Sequence, residues 1–431
     1  MLGGIFLVVL WVAATVRCGG PFLGGAQQKE QLMRDRDAIE FRGGTIVLPD
    51  RVINDGVVRC SEGMIQSVSE TQSGTSESQC EVYSLAGKIL SPGFVDIHVH
   101  GGRGCDFMDG AVNAVETVCR AHLEHGTTSI FPTTTTGAVE EILAMIAACE
   151  EVRPRVSSRL HGVHLYGPYF ARDKVGCHSI EGRRAPEQDD FHAYFDEGSI
   201  AIATCAAELP GAAAFYEYAS QHSQLLTCGH SNASFTEMQA GFDKGVRHVD
   251  HFWCAMSSVP SLRARFNVPM QASMAEFVLM NEQMSTEVIA DGQHLAPELL
   301  EFAYRMLGPG RLCLVTDCNR ALDLPPGEYK FGNSLTGSLF RSDGQVGWAP
   351  DGGSLASSIQ GMDHMVRHMN AVTSAQLHEV IRMASLTPAE RAGVQRQVGS
   401  IEVGKFADLL VLDEQLQIQD VFVNGLSIND S

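Results

Sequence analysis

Five side chains able to hold a metal ion fall at the C-terminal ends of apolar, strand-like runs. They are His98 and His100 in SPGFVDIHVHGG, His230 in LLTCGHS, His251 in HVDHFW and Asp317 in LCLVTDCN. Imidazole nitrogens bind divalent cations such as Zn²⁺, and a nearby carboxylate can take a proton from water that the cation acidifies. His98 and His100 are two residues apart, so a strand points both to the same face. Each residue also has a plainer role. An isolated His is often a core residue, and a strand-end Asp often caps the next turn. Five such residues in one structural position favour a shared metal centre, with Asp317 as its acid/base. His248, two residues before His251, competes for that histidine's place.

A second set lies in loops after strands: His178 in VGCH and His294 in ADGQH. These are positions for substrate contacts or for solvated loop histidines. Arg263 and Arg265, in SLRARF, suit an anionic group such as a phosphate, or ordinary surface charge.

Elements must carry these residues to one place. Strand-like runs occur at 94–98, 127–132, 160–165, 200–205, 225–230, 246–251, 285–290 and 311–316, with helical stretches such as 111–124 and 138–152 between them. Eight such units predict an α/β fold, a (β/α)8 TIM barrel, whose site lies where its strands end. A doubly wound sheet is the runner-up, but no Gly-rich dinucleotide fingerprint follows the first strand. Both chain ends are rich in short strands and turns, predicting a small β-sandwich domain assembled from the two. The expected division is 1–32 as a signal-like or extended N-terminus, 33–92 and 385–431 as the β domain, and 93–384 as the barrel.

The chain of 431 residues carries a formal charge of −20, which argues against nucleic acid as a partner. A small-molecule substrate, even an anionic one, is compatible with it. The 12 cysteines show no CxxC, and several sit inside apolar runs (Cys205, Cys228, Cys313), which points to reduced, buried thiols and a cytoplasmic setting. The apolar run from Ile5 to Val16 is too short to span a membrane comfortably, so no membrane is expected as a partner of the mature form. It has the length of a signal peptide but no Lys or Arg ahead of it, and Met33 is an alternative initiator.

From about residue 40 to 426 the chain resembles the amidohydrolase superfamily and, within it, the N-acetylglucosamine-6-phosphate deacetylases. The blocks that carry the resemblance are PGFVDIHVHGG, HGTTSIFPTTTT, HLYGPYF with VGCH, GHSNAS, DHFWCAM, VIADGQHL, LVTDCN with LPPGEYKFG, DGGSLASS, and ASLTPAERAGV with GSIEVGKFADLLVLD. The resemblance implies His98, His100, His230 and His251 as metal ligands. It implies Asp317 as catalytic acid/base, with a place in the metal shell. It further implies His178 and His294 as substrate contacts, Ala255 and Met256 as a phosphate-holding backbone, and Arg263 as a phosphate clamp lent across a homodimer. One or two divalent metals, Zn²⁺ foremost, follow from it. Two positions depart from the family pattern. Tyr166 stands where the family has a metal-binding Glu, and a phenol is a poorer ligand than a carboxylate. Glu208 is the first candidate to replace it. Cys254 stands where the family has Asn, removing an amide donor. These departures leave open another N-acyl or cyclic amide as substrate, and a non-catalytic scaffold as the remaining alternative.

Overall fold

The structure is a computed structural model that describes residues 38–70 and 80–429. The signal-peptide and initiator expectations lie outside these residues. Among the described residues, no helix is long and apolar enough to cross a membrane.

All eight expected barrel strands are present: Phe94–Val99, Thr127–Pro132, a third strand in two pieces (Arg159–Leu160 and Val163–Leu165), Ile200–Thr204, Leu225–Cys228, Val246–Val249, Ser285–Ile289 and Leu312–Val315. The third strand is interrupted at Gly162, which takes a φ of 152° and lies so close to Ala201 that a Cβ would meet it at 2.8 Å. Every pairing between these strands is parallel. They form ladders of three and six strands. A bridge between Thr133 and His164 joins the ladders on one side. On the other, Asp317 N donates to His98 O at 2.8 Å, tying the last strand to the first. Near-continuous apolar strands of this kind are what a sheet covered on both faces requires. Helices such as Val112–Glu124 and Val139–Val152 lie between strands and bury their apolar faces in the common core.

The chain ends meet in one eight-stranded sheet, with Ile39–Val47 and Ile89–Pro92 beside Leu409–Leu412 and Ile418–Val423. Its strands close round their own core of Phe41, Val58, Ile65, Leu90, Leu409 and Phe422. Among the described residues the hydrogen bonds form this single sheet, not the two separate sheets that a sandwich implies. The helix Leu386–Arg391 packs on the first and last barrel strands, and the end sheet resumes only at Leu409. Arg159 joins the two parts, with its Nε 2.5 Å from Asp408 Oδ2 and its guanidinium 3.5 Å from the Phe406 ring centroid.

One element has no counterpart in the sequence-based expectations. A four-stranded antiparallel sheet, Gly327–Phe331, Ser338–Ser342, Val346–Trp348 and Leu355–Ser358, is inserted after the last barrel strand. Its Phe331 packs against His100 and His178, with ring centroids 5.1 and 4.9 Å away.

Candidate active site

The first barrel strand is buried along its whole length, and its period-two face carries Asp96, His98 and, just beyond, His100 into the barrel mouth. His100 N and Gly101 N both donate to Cys318 O, which holds this strand end against the last one. Three other site residues sit immediately after strands with left-handed backbones: His230 (φ 44°), His251 (φ 21°) and Asp317 (φ 42°). Non-glycine residues pay about 1–2 kcal/mol for this region, and such outliers cluster where a side chain must be aimed. Here each turn brings its side chain to the cleft, which His230, His251 and Asp317 all line.

All four histidines are oriented in the same manner. His98 Nδ1 donates to Glu287 Oε1 at 2.5 Å, and His100 Nδ1 donates to Thr133 O at 3.1 Å. His230 Nδ1 donates to Lys174 O at 2.5 Å, and His251 Nδ1 to Cys254 O at 3.1 Å. Each imidazole therefore turns its Nε2 to the interior, the arrangement that fixes metal-binding tautomers, although that of His251 meets the Tyr166 hydroxyl. The Nε2 atoms of His98 and His100 are fully buried with no hydrogen-bond partner. They face Asp317 Oδ1 at 3.8 and 3.2 Å. Donor atoms of His98, His251 and Asp317 lie within 4.8 Å of one another. Buried, unpartnered nitrogens beside a carboxylate fit a divalent cation.

The electrostatics agree. Burial alone lowers the pKa of His98, but Glu287 and Asp317 outweigh it and raise it to about 9. Burial opposes ionisation of Asp317, yet His98, His100 and His251 hold its carboxyl well below the usual range. A site whose field draws positive charge to this point suits a cation equally well. Burial keeps His178 and His230 well below the ordinary imidazole range, and hence neutral near pH 7.

Beneath lies a supporting layer of which the sequence reasoning singled out only His248, as a competing ligand. Glu287 also accepts from His251 N at 3.1 Å and lies 3.3 Å from His248 Nε2. His248 faces this carboxylate and Ser285, so it belongs to the support. Asp250 accepts from Thr204 and Thr227 hydroxyls, each at 3.1 Å. Gly229 packs on it so closely that a Cβ would meet Oδ2 at 2.2 Å.

Above lies a cleft of about 380 Å³, within the range of small-molecule sites. Its lining includes Tyr166, Lys174, His178, His230, His251, Cys254, Ala255, His294 and Asp317. His294 is held by Asp291, with Nδ1 2.8 Å from Oδ2. Ser357, from the inserted sheet, donates to Asp317 Oδ1 at 3.1 Å. Ala255 lines the cleft, whereas the Met256 side chain is buried and its sulfur accepts from Trp253 N. Arg263 is exposed on the helix Val259–Phe266, away from the cleft lining. Glu208 binds Ser231 Oγ at 2.6 Å and Asn232 N at 2.5 Å, so it organises that turn and does not replace a ligand at Tyr166. Tyr166 itself is buried in the centre, and its hydroxyl hydrogen-bonds His251 Nε2.

A parallel barrel with a histidine–aspartate centre at its C-terminal mouth defines a barrel hydrolase of the metal-dependent kind. The profile of the amidohydrolase family matches residues 89–427, and the chain belongs to this family. It is similar to the N-acetylglucosamine-6-phosphate deacetylase of Vibrio furnissii, 28% identical over 91% of this chain and 95% of that protein. It is also similar to the N-acetylgalactosamine-6-phosphate deacetylase of Escherichia coli O157:H7, 28% identical over 89% of this chain and 98% of that protein. The solved N-acetylglucosamine-6-phosphate deacetylase of Pasteurella multocida is 25% identical and superposes with a TM-score of 0.82, covering 90% of this chain and 98% of that one. The chain is an enzyme, a hydrolase of carbon–nitrogen bonds.

Proposed function

We propose that this enzyme hydrolyses the N-acetyl amide of N-acetylglucosamine-6-phosphate, giving glucosamine-6-phosphate and acetate. The observation that carries this is the convergence of Asp317 with the unpartnered His98 and His100 nitrogens beneath a sugar-sized cleft, in a chain similar to named deacetylases along nearly its whole length. When bound, a divalent cation, for which Zn²⁺ is the best candidate, supplies Lewis acidity and water that ionises near pH ~7. His98, His100 and Asp317 offer it free donor atoms, and His230 and His251 are the other imidazoles of the centre. Asp317, kept ionised by its neighbours, accepts the proton as water adds to the amide carbonyl carbon. Neutral His178 faces the cleft and donates to the developing oxyanion. As the C–N bond breaks, Asp317 returns the proton to the leaving nitrogen, so acetate and the free amine depart and the carboxylate is regenerated.

His294 and Ala255 line the same cleft and contact the sugar phosphate, and Lys174 brings a cationic side chain to the same lining. Arg263, exposed on its helix, reaches a phosphate only in a neighbouring subunit, so a homodimer completes this reading. A cytoplasmic setting fits the buried free thiols Cys205, Cys228 and Cys313. The matching similarity to an enzyme named for the galactosamine substrate supports a second reading, the C4 epimer. Acetate release from both 6-phosphates, and from their unphosphorylated forms, decides between them. Asp317→Asn should abolish release from the true substrate. Undiminished turnover in that variant overturns the assignment of Asp317, and preference for an unphosphorylated amide overturns the substrate class.

A further inference from the structure

We propose that the centre holds one divalent cation per chain and not two, in the corner between His98, His100 and Asp317, because Tyr166 fills the space a second ion needs. This rests on the metal-dependent hydrolase reading above. Tyr166 lies inside the ring of histidines, with its ring centroid 4.3 Å from that of His98, 5.3 Å from His230, 5.7 Å from His100 and 5.9 Å from His251. It is 1% exposed. The side chain therefore takes the volume between the two halves of the centre.

The hydroxyl does more than occupy space. His251 Nδ1 donates to Cys254 O, so Nε2 is the acceptor of this imidazole, and the Tyr166 phenol donates to it. The lone pair that His251 would offer a metal is engaged by that hydrogen bond. His230, stacked on Phe170 at 4.1 Å, is then left as a single imidazole. One nitrogen does not retain a cation against water, since stable sites use three or more protein ligands. His98 and His100 differ in both respects. Their Nε2 atoms are buried without partners, and Asp317 Oδ1 lies 3.8 and 3.2 Å from them. Two nitrogens and one oxygen there leave a position open to the cleft, the pattern of a catalytic site. His251 also lies near enough to compete with His100 for the same ion, as its donor atom is within 4.8 Å of those of His98 and Asp317. The Tyr166 hydrogen bond decides that competition against it.

The test is metal content, which needs no substrate. The full chain is stripped with a chelator, reloaded with Zn²⁺ and passed through gel filtration, and zinc per chain is measured by mass spectrometry. One equivalent is expected. His98→Ala and His100→Ala should lose nearly all of it, and His251→Ala should keep it. Tyr166→Glu, which puts a carboxylate between His230 and His251, should raise it to two. Two equivalents in the unaltered chain overturn the inference, as does a His251→Ala variant that empties while His100→Ala stays loaded. If Tyr166→Glu does not fold, the comparison of His251→Ala with His100→Ala decides alone. Two bound zinc ions with intact acetate release overturn only this inference. No bound zinc at all overturns the metal-dependent reading with it.

Discussion

Glu287 stands directly behind His98, its Oε1 2.5 Å from Nδ1, although the two residues are 189 positions apart in the chain. Burial opposes its ionisation, but His98 and His248 prevail and hold its carboxyl well below the usual range. The pair therefore pins His98 as the tautomer that presents Nε2. Glu287→Gln keeps the shape and removes the charge. It should weaken metal affinity ~10–100-fold, the usual effect of losing a carboxylate behind a ligating histidine. Competition with a chromophoric chelator measures this, and unchanged affinity would show that His98 is oriented by packing alone.

His178 is buried at the cleft, and its Nδ1 has no hydrogen-bond partner. A buried polar atom left open in this way calls for an explanation, and a job in the reaction is one. If that job is to meet the oxyanion, His178→Ala should lower kcat by about 10²–10³-fold. Metal content should not change. Loss of metal together with rate would instead make His178 part of the metal shell.

The barrel was legible because eight strand-like runs of five or six residues are each closed by a polar or small-residue turn, and the strands, shorter in several cases and split in the third, fall on those runs. His98, His100, His230, His251 and Asp317 were legible as a group because each ends such a run. Glu287 was not. It is one carboxylate inside the buried strand Ser285–Ile289, and nothing local says which histidine it faces. The inserted sheet was missed because its strands are three to five residues long in a stretch rich in Gly, Ser and Asp, which reads as loop. Glu208 was misplaced as a substitute ligand because spacing cannot show that its carboxylate is taken by Ser231 and Asn232 of a neighbouring turn.

Gly229 precedes His230 and lies against Asp250, which two threonine hydroxyls already fix. Gly229→Ala would put a methyl 2.2 Å from Oδ2, so strand or carboxylate must move. Overpacking of this kind costs about 1–3 kcal/mol. The thermal midpoint should fall, and turnover should fall more than stability alone explains, because His230 is displaced with the turn. Unaltered turnover in folded protein would mean that His230 tolerates the shift.

His125 bridges two carboxylates, with Nδ1 2.9 Å from Asp363 and Nε2 3.1 Å from Asp323. Burial lowers its pKa, but the two hydrogen-bonded partners outweigh this and raise it from 6.5 to about 9. A histidine with a raised folded pKa contributes stability that is complete below pH 6.5 and is lost as pH passes through about 9. Asp363, lowered to about 2, contributes to stability above its unfolded value and loses that only in acid, so it does not confuse the alkaline window. The thermal midpoint should therefore decline between pH 6.5 and about 9. His125→Gln should be less stable at pH 6.5 and should show a flatter decline, the two proteins converging in alkali. Parallel curves for the two proteins would show that the bridge is not the group that titrates.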